Sequence, residues 1–147
     1  MAFLVFLALA AHTPDTGALE RRMVELVNGE RVARGIPPLE SQPQLSELAR
    51  KYSERMAASG RVDHELDRPL QERILEVLPG TCKFGENVAR NTSVEYALSD
   101  LMTSDGHRDT LLNPDYEMVG IGIVRGKNDS LYITQEFARR CEPRRQR

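Results

Sequence analysis

The chain has 147 residues, of which 40% are hydrophobic and 29% charged, and its formal net charge is −2. That length suits one domain around a single core, and that composition excludes a disordered or low-complexity chain. The near-neutral charge leaves no electrostatic footprint for nucleic acid, and no nucleic-acid partner is expected.

In chain order, the apolar run from Ala2 to Ala11 comes first. It is too short to span a bilayer as a helix, which takes about 20 residues. It contains Ala8-Leu9-Ala10, the small-x-small form of a signal cleavage site, although basic residues are missing from its start. Residues 1–11 are therefore read as a signal peptide; the alternative is a buried N-terminal strand or helix. Residues 16–141 then form the folded domain, and 142–147 a basic tail.

From Thr16 to Arg34, Leu19, Met23, Leu26 and Val27 recur at helical spacing, and Gly35 ends that helix. Pro37 and Pro38 lead the chain away extended. The next helix has Ser41 as candidate cap, Pro43 in its first turn and Gly60 as left-handed stop. Leu45, Leu48, Ala49, Tyr52 and Met56 are its expected buried stripe. A polar loop carrying His64 follows, and then a short helix from Pro69 to Leu78. "TCKFGENVAR" has the character of a strand entering a loop, and "SVEYALSDLMTS" is helical with Val94, Ala97, Leu98 and Leu101 on one face. "SDGHRD" is expected to be a turn that presents His107. "MVGIGIVR" and "LYITQEFA" read as strands joined by a hairpin-type connection. In the first of them, alternating Gly120 and Gly122 leave one face bare, so that a helix or a ligand can approach closely. Helices followed by late strands give an α+β fold.

Two cysteines, Cys82 and Cys141, fit an exported protein with one disulfide; the alternative is two unrelated buried thiols. Asn28 and Arg31 are read as structural, tying the first helix to neighbouring loops. Gln135 reaches either a cleft or its rim, and Tyr116 and Tyr132 are packing residues with hydroxyls at the surface. The sequons at Asn91 and Asn128 matter only in a eukaryotic secretory pathway.

In order along the chain, "LVNGERVARGIPPL", "LSELARKYSERMAASGRVDH", "GENVA", "LMTSDGHRDTLLNPDYEMVGIGIV" and "YITQEFA" resemble the successive blocks of the CAP superfamily of cysteine-rich secretory, venom-allergen and pathogenesis-related proteins. The likeness is to its compact bacterial branch. It implies a three-layer α-β-α sandwich with a small antiparallel sheet between helices and a central cleft. It also places Cys82 and Cys141 at blocks of the same sheet. Carried over block by block, the cleft residues are His64, Glu86 and His107. In relatives with a fourth cleft residue, a second glutamate follows a tryptophan. Here Leu101 takes the tryptophan position and the glutamate position falls near Ser104.

Two imidazoles and a carboxylate are a donor set for a divalent metal such as zinc, with a position left open for water. The alternatives are a hydrogen-bonded polar cluster in which Glu86 fixes a histidine tautomer, or a Glu86 that only braces its loop. Functionally, the expectation is a secreted or extracytoplasmic monomer whose cleft binds a small molecule, lipid or peptide. The rival is a metal-assisted extracellular hydrolase using His64, Glu86 and His107. In a third reading, the arginine-rich end holds the protein to a membrane or wall polymer.

Overall fold

The computed structural model describes residues 15–141. The expected signal peptide and basic tail lie outside the described residues. The first helix, α1 (Thr16–Val32), turns Glu20, Met23, Val27 and Arg31 inward along one face. A two-residue strand, β1 (Glu40–Ser41), precedes α2 (Pro43–Ser59). Leu45, Ala49, Tyr52, Ser53 and Met56 are buried along α2, and Leu48 is half-buried at the margin. Ser41 lies in β1 and does not cap α2. Gln42 takes the cap position without a side-chain bond, and Gly60 closes the helix at φ 70° as expected.

After α3 (Leu70–Val77), the chain enters β2 (Thr81–Asn91), which runs unbroken through the stretch expected to leave the sheet. Ser93 caps α4 (Val94–Thr103), its Oγ accepting from the Tyr96 N–H at 3.1 Å. The expected turn around His107 is a helix, α5 (Asp105–Leu111). β3 (Met118–Arg125) and β4 (Leu131–Arg140) form the expected hairpin across the short helical turn Lys127–Asp129.

The sheet order is β1-β3-β4-β2. Its three long strands are antiparallel, while β1 pairs parallel with β3 at Glu40–Met118 and Ser41–Val119, making the sheet mixed. Helices α2 and α3 cover the face carrying Gly120, Gly122, Thr134 and Glu136. A Cβ on Gly120 would stand 2.1 Å from the Leu45 carbonyl carbon, and one on Gly122 2.1 Å from the Arg50 nitrogen. The bare glycine face is thus the seat of a helix. Ser53 of α2 settles there, its Oγ bonding the Gly122 carbonyl at 2.9 Å and the Thr134 hydroxyl at 2.8 Å. On the opposite face Met23, Val27, Val94, Ala97, Leu98 and Leu111 from α1, α4 and α5 pack against Val119, Ile121, Ile133 and Phe137. This is the α-β-α sandwich that the sequence suggested.

Three polar devices fasten the layers. Arg31 is fully buried and donates to the carbonyls of Pro37, Leu111, Asn113 and Tyr116. Asn28 exchanges two hydrogen bonds with the main chain of Leu39. Both act as expected. Cys82 and Cys141 form a disulfide, with Cα atoms 5.5 Å apart, joining the start of β2 to the residue after β4. Tyr116 differs from expectation: its hydroxyl is turned inward and donates to the Phe84 carbonyl at 2.7 Å.

Candidate functional site

Glu86 and Glu136 face each other across β2 and β4, and both project onto the α2–α3 side of the sheet. Arg73 of α3 lies over them, fully buried. Its Nη2 donates to Glu86 Oε2 at 2.7 Å and its Nη1 to Glu136 Oε1 at 2.9 Å. Its Nε donates to the Arg68 carbonyl, and its guanidinium stacks 4.2 Å above the Tyr52 ring. Burial works against the Arg73 charge, but the two carboxylates outweigh it and the pKa is raised. Glu136 is wholly inaccessible; burial and then the neighbouring Glu86 push its pKa well up. Its Oε2 has no donor facing it. One proton held between Glu136 and Glu86 satisfies that oxygen and leaves one negative charge for the one guanidinium.

Glu86 remains the ionised partner. Burial raises its pKa, but the bonds from His64 and Arg73 more than reverse this and the net shift is downward. His64 stands at the surface in the loop before α3, with its side chain 52% exposed and its Nδ1 2.8 Å from Glu86 Oε1. Because a carboxylate only accepts, Nδ1 of His64 carries the hydrogen and Nε2 points elsewhere. The Glu86 bond raises the His64 pKa. Glu86 thus meets the expectation of a bond to one histidine. Its setting, however, is mid-strand and not a loop, and the carboxylate is spent on His64 and Arg73.

His107 lies in the first turn of α5, with Nδ1 2.9 Å from Ser104 Oγ. Its carbonyl accepts from Asn87 Nδ2 at 3.1 Å, and the same amide nitrogen lies 3.1 Å from Gln135 Oε1. Burial, followed by the nearby His64 charge, lowers the His107 pKa. The Glu86 bond thus favours the charged form of His64, while burial and the nearby His64 favour the neutral form of His107. Gln135 is fully buried beneath Asn87 and not at a rim, and it supports the floor under His107. Ser104 serves as the partner of His107. A groove of about 280 Å³ opens beside Ser104 and His107, lined also by Val88, Arg90 and Leu101.

The three-ligand metal set expected from His64, Glu86 and His107 is not assembled. Among the described residues no three His, Cys, Asp or Glu side chains are grouped to hold an ion. The reason is electrostatic: Glu86 points at a buried guanidinium, where a second cation would be repelled. Arg73 and Glu136 were missed in the sequence although both left a trace. Arg73 falls one turn after Leu70 and beside Ile74 on the apolar stripe of its helix. Glu136 shares the period-two face of Thr134 and Ala138.

The family model for the cysteine-rich secretory protein family, CAP, matches residues 24–137, and the chain belongs to that family. It is 32% identical over 128 residues to the uncharacterized protein YkwD of Bacillus subtilis, covering 84% of this chain and 48% of that one. An extracellular protein containing an SCP domain from Bacillus anthracis superposes with a TM-score of 0.77 at 26% identity, over 88% of this chain and 44% of that one. An outer surface protein of Borrelia burgdorferi shares the fold, with a TM-score of 0.81 at 17% identity over 88% of this chain and 98% of that one. The chain thus spans about half the length of the first two. Among the described residues no helix is long and apolar enough to cross a membrane.

Proposed function

We propose that this chain is an extracytoplasmic binding module whose ligand, a small molecule, lipid or peptide, seats between His64 and His107. The observation that carries the reading is the way the imidazoles are held. Each is tied at Nδ1, to Glu86 and to Ser104, which leaves both Nε2 atoms for a ligand. The extracellular and outer-surface relatives support the location. Any zinc bound here rests on the two imidazoles alone, and weak affinity follows. The hydrolase reading is weakened because no free carboxylate stands beside the imidazoles: Glu86 is engaged twice and Ser104 takes the place of the second one.

The test is to follow the ring resonances of His64 and His107 by NMR while adding short-chain fatty acids, small organic acids and short peptides in turn. Ligands of this cleft shift both rings together. Binders that leave both rings unmoved would remove the reading. Casein incubated with the protein and zinc is expected to stay intact; cleavage lost on His107→Ala would favour the hydrolase instead.

A further inference from the structure

The sheet has two free edges, and the fold treats them differently. On the outer side of β3, beyond the two residues of β1, the Ile123 N–H is taken by Glu20 Oε1 at 3.1 Å. Glu20 is itself held by Arg50. An unpaired edge is an invitation to another strand, and this one is blunted by a charged side chain.

The outer side of β2 carries no such guard where it borders the cleft. In an antiparallel ladder, successive residues direct their main-chain groups alternately toward and away from the partner. The Glu117 N–H bonds the Ala138 carbonyl, so the main chain of Ala138 faces β3. Its alternates Phe137, Gln135 and Ile133 therefore face β2 and engage Gly85, Asn87 and Ala89. The main-chain groups of Phe84, Glu86, Val88 and Arg90 are left pointing outward. The Tyr116 hydroxyl on the Phe84 carbonyl fits that phase. Among the described residues, nothing on that outer side bonds the main chain of Glu86, Val88 or Arg90.

This bare stretch lies between the two imidazoles. Glu86 holds His64 on one face, Asn87 holds the His107 carbonyl on the other, and Val88 and Arg90 line the groove beside Leu101 and Ser104. A lipid tail offers nothing to a row of donors and acceptors, whereas an extended polypeptide offers their complement at the same spacing. From Glu86 to Arg90 the edge is about 13 Å long, room for a segment of about five residues. On the Glu86 face the flanking basic groups are His64, whose neighbour Asp63 is paired with Arg61, and Arg90, 5.4 Å above the Tyr132 ring. The nearby Asp100 is engaged by Asn91 Nδ2 at 2.7 Å. Acidic side chains at alternate positions match the cations, and small apolar ones match Leu101 on the other face.

We propose that the outer edge of β2 from Glu86 to Arg90 captures an extended acidic peptide as an added strand between His64 and His107. The proposal rests on the cleft reading above and narrows its ligand to one class. The probe is acetyl-Glu-Val-Glu-Val-Glu-amide, added to the isotope-labelled full chain. In the free protein the amides of Glu86, Val88 and Arg90 should exchange fast while those of Gly85, Asn87 and Ala89 are slow. On addition of peptide the fast set should slow by at least about tenfold. N-methylation at both valines or at the central glutamate should abolish binding in one case and spare it in the other. Arg90→Pro, which removes an outward N–H and no ladder bond, should weaken the peptide about fivefold or more beyond Arg90→Ala, which loses the same cation and keeps the N–H, with the His64 ring resonance alike in both.

Equal slowing of all six amides in the free chain would overturn the proposal, as would equal binding of both methylated peptides. Protection that grows with protein concentration alone would assign the edge to a second copy and also overturn it. A fatty acid that shifts both imidazoles where the peptide shifts nothing would sink only this proposal. Ligands of any of the three classes that bind and leave both rings unmoved would take the cleft reading down with it.

Discussion

Arg73 neutralises Glu86, pairs with Glu136 and stacks on Tyr52, so its loss strands two buried carboxyls at once. Arg73→Met should cost about 3–5 kcal/mol in denaturant unfolding, as for other buried pairs broken from one side. Glu136→Gln should cost less than about 1 kcal/mol, because an amide reproduces the neutral acid: its oxygen accepts from Arg73 and its nitrogen donates toward Glu86. A large loss on Glu136→Gln would mean that Glu136 is ionised. The two histidines carry a second prediction, read from ring resonances against pH. His64 should titrate above the ordinary value of 6.5 and His107 below it. For His64, pairing with Glu86 contributes stability that is full below pH 6.5 and lost as pH rises through the raised folded value. His107 works oppositely: its neutral form is favoured, so stability falls as pH drops below 6.5 toward the lowered folded value. Glu86→Gln should bring the His64 titration down; an unmoved His64 would show that the bond to Glu86 does not set it.

At the scale of elements, the closeness of α2 to the sheet depends on two missing methyl groups. Gly120→Ala places a Cβ against main-chain atoms of α2 that cannot rotate away. It should cost about 3 kcal/mol in denaturant midpoint experiments, at the upper end of overpacking. Gly29→Ala, inside α1 with nothing within 4 Å of the new atom, should instead stabilise by about 0.5–1 kcal/mol. A mild Gly120→Ala would mean that α2 can slide. The helices and the late hairpin were legible because their apolar residues recur at 3.6 or 2 positions. β1 was not, since two residues carry no period and owe their pairing to where α2 begins. β2 was misjudged at "FGENV" because glycine and glutamate are poor strand formers. Gly85 is there because Tyr116 leans on it, with its hydroxyl 2.4 Å from where a Cβ would sit. Glu86 is tolerated because a buried arginine waits above it. Both reasons are tertiary. The histidines and Glu86 were legible through their family blocks, while the destination of the Glu86 carboxylate depended on Arg73, thirteen residues away in another layer.

For the whole molecule, the disulfide closes a loop with a sequence separation of 59 residues that contains α4, α5 and β3. Loop-closure entropy gives it roughly 4 kcal/mol, so the double variant Cys82→Ser/Cys141→Ser should unfold at distinctly lower denaturant. An unchanged midpoint would mean that β2 and β4 already restrict the unfolded chain as much as the bond does. Arg31 imposes a constraint of another kind, one of timing. Three of its four carbonyl partners lie at Leu111, Asn113 and Tyr116, which are 80 to 85 residues further along the chain. As the polypeptide is made, α1 emerges early with a guanidinium that has no interior to enter. That interior exists only after α5 and the approach to β3 have been synthesised. The first helix therefore cannot lock before most of the domain is out. Once it does, the same guanidinium anchors the far end of the helix that carries His107, through the Leu111 carbonyl.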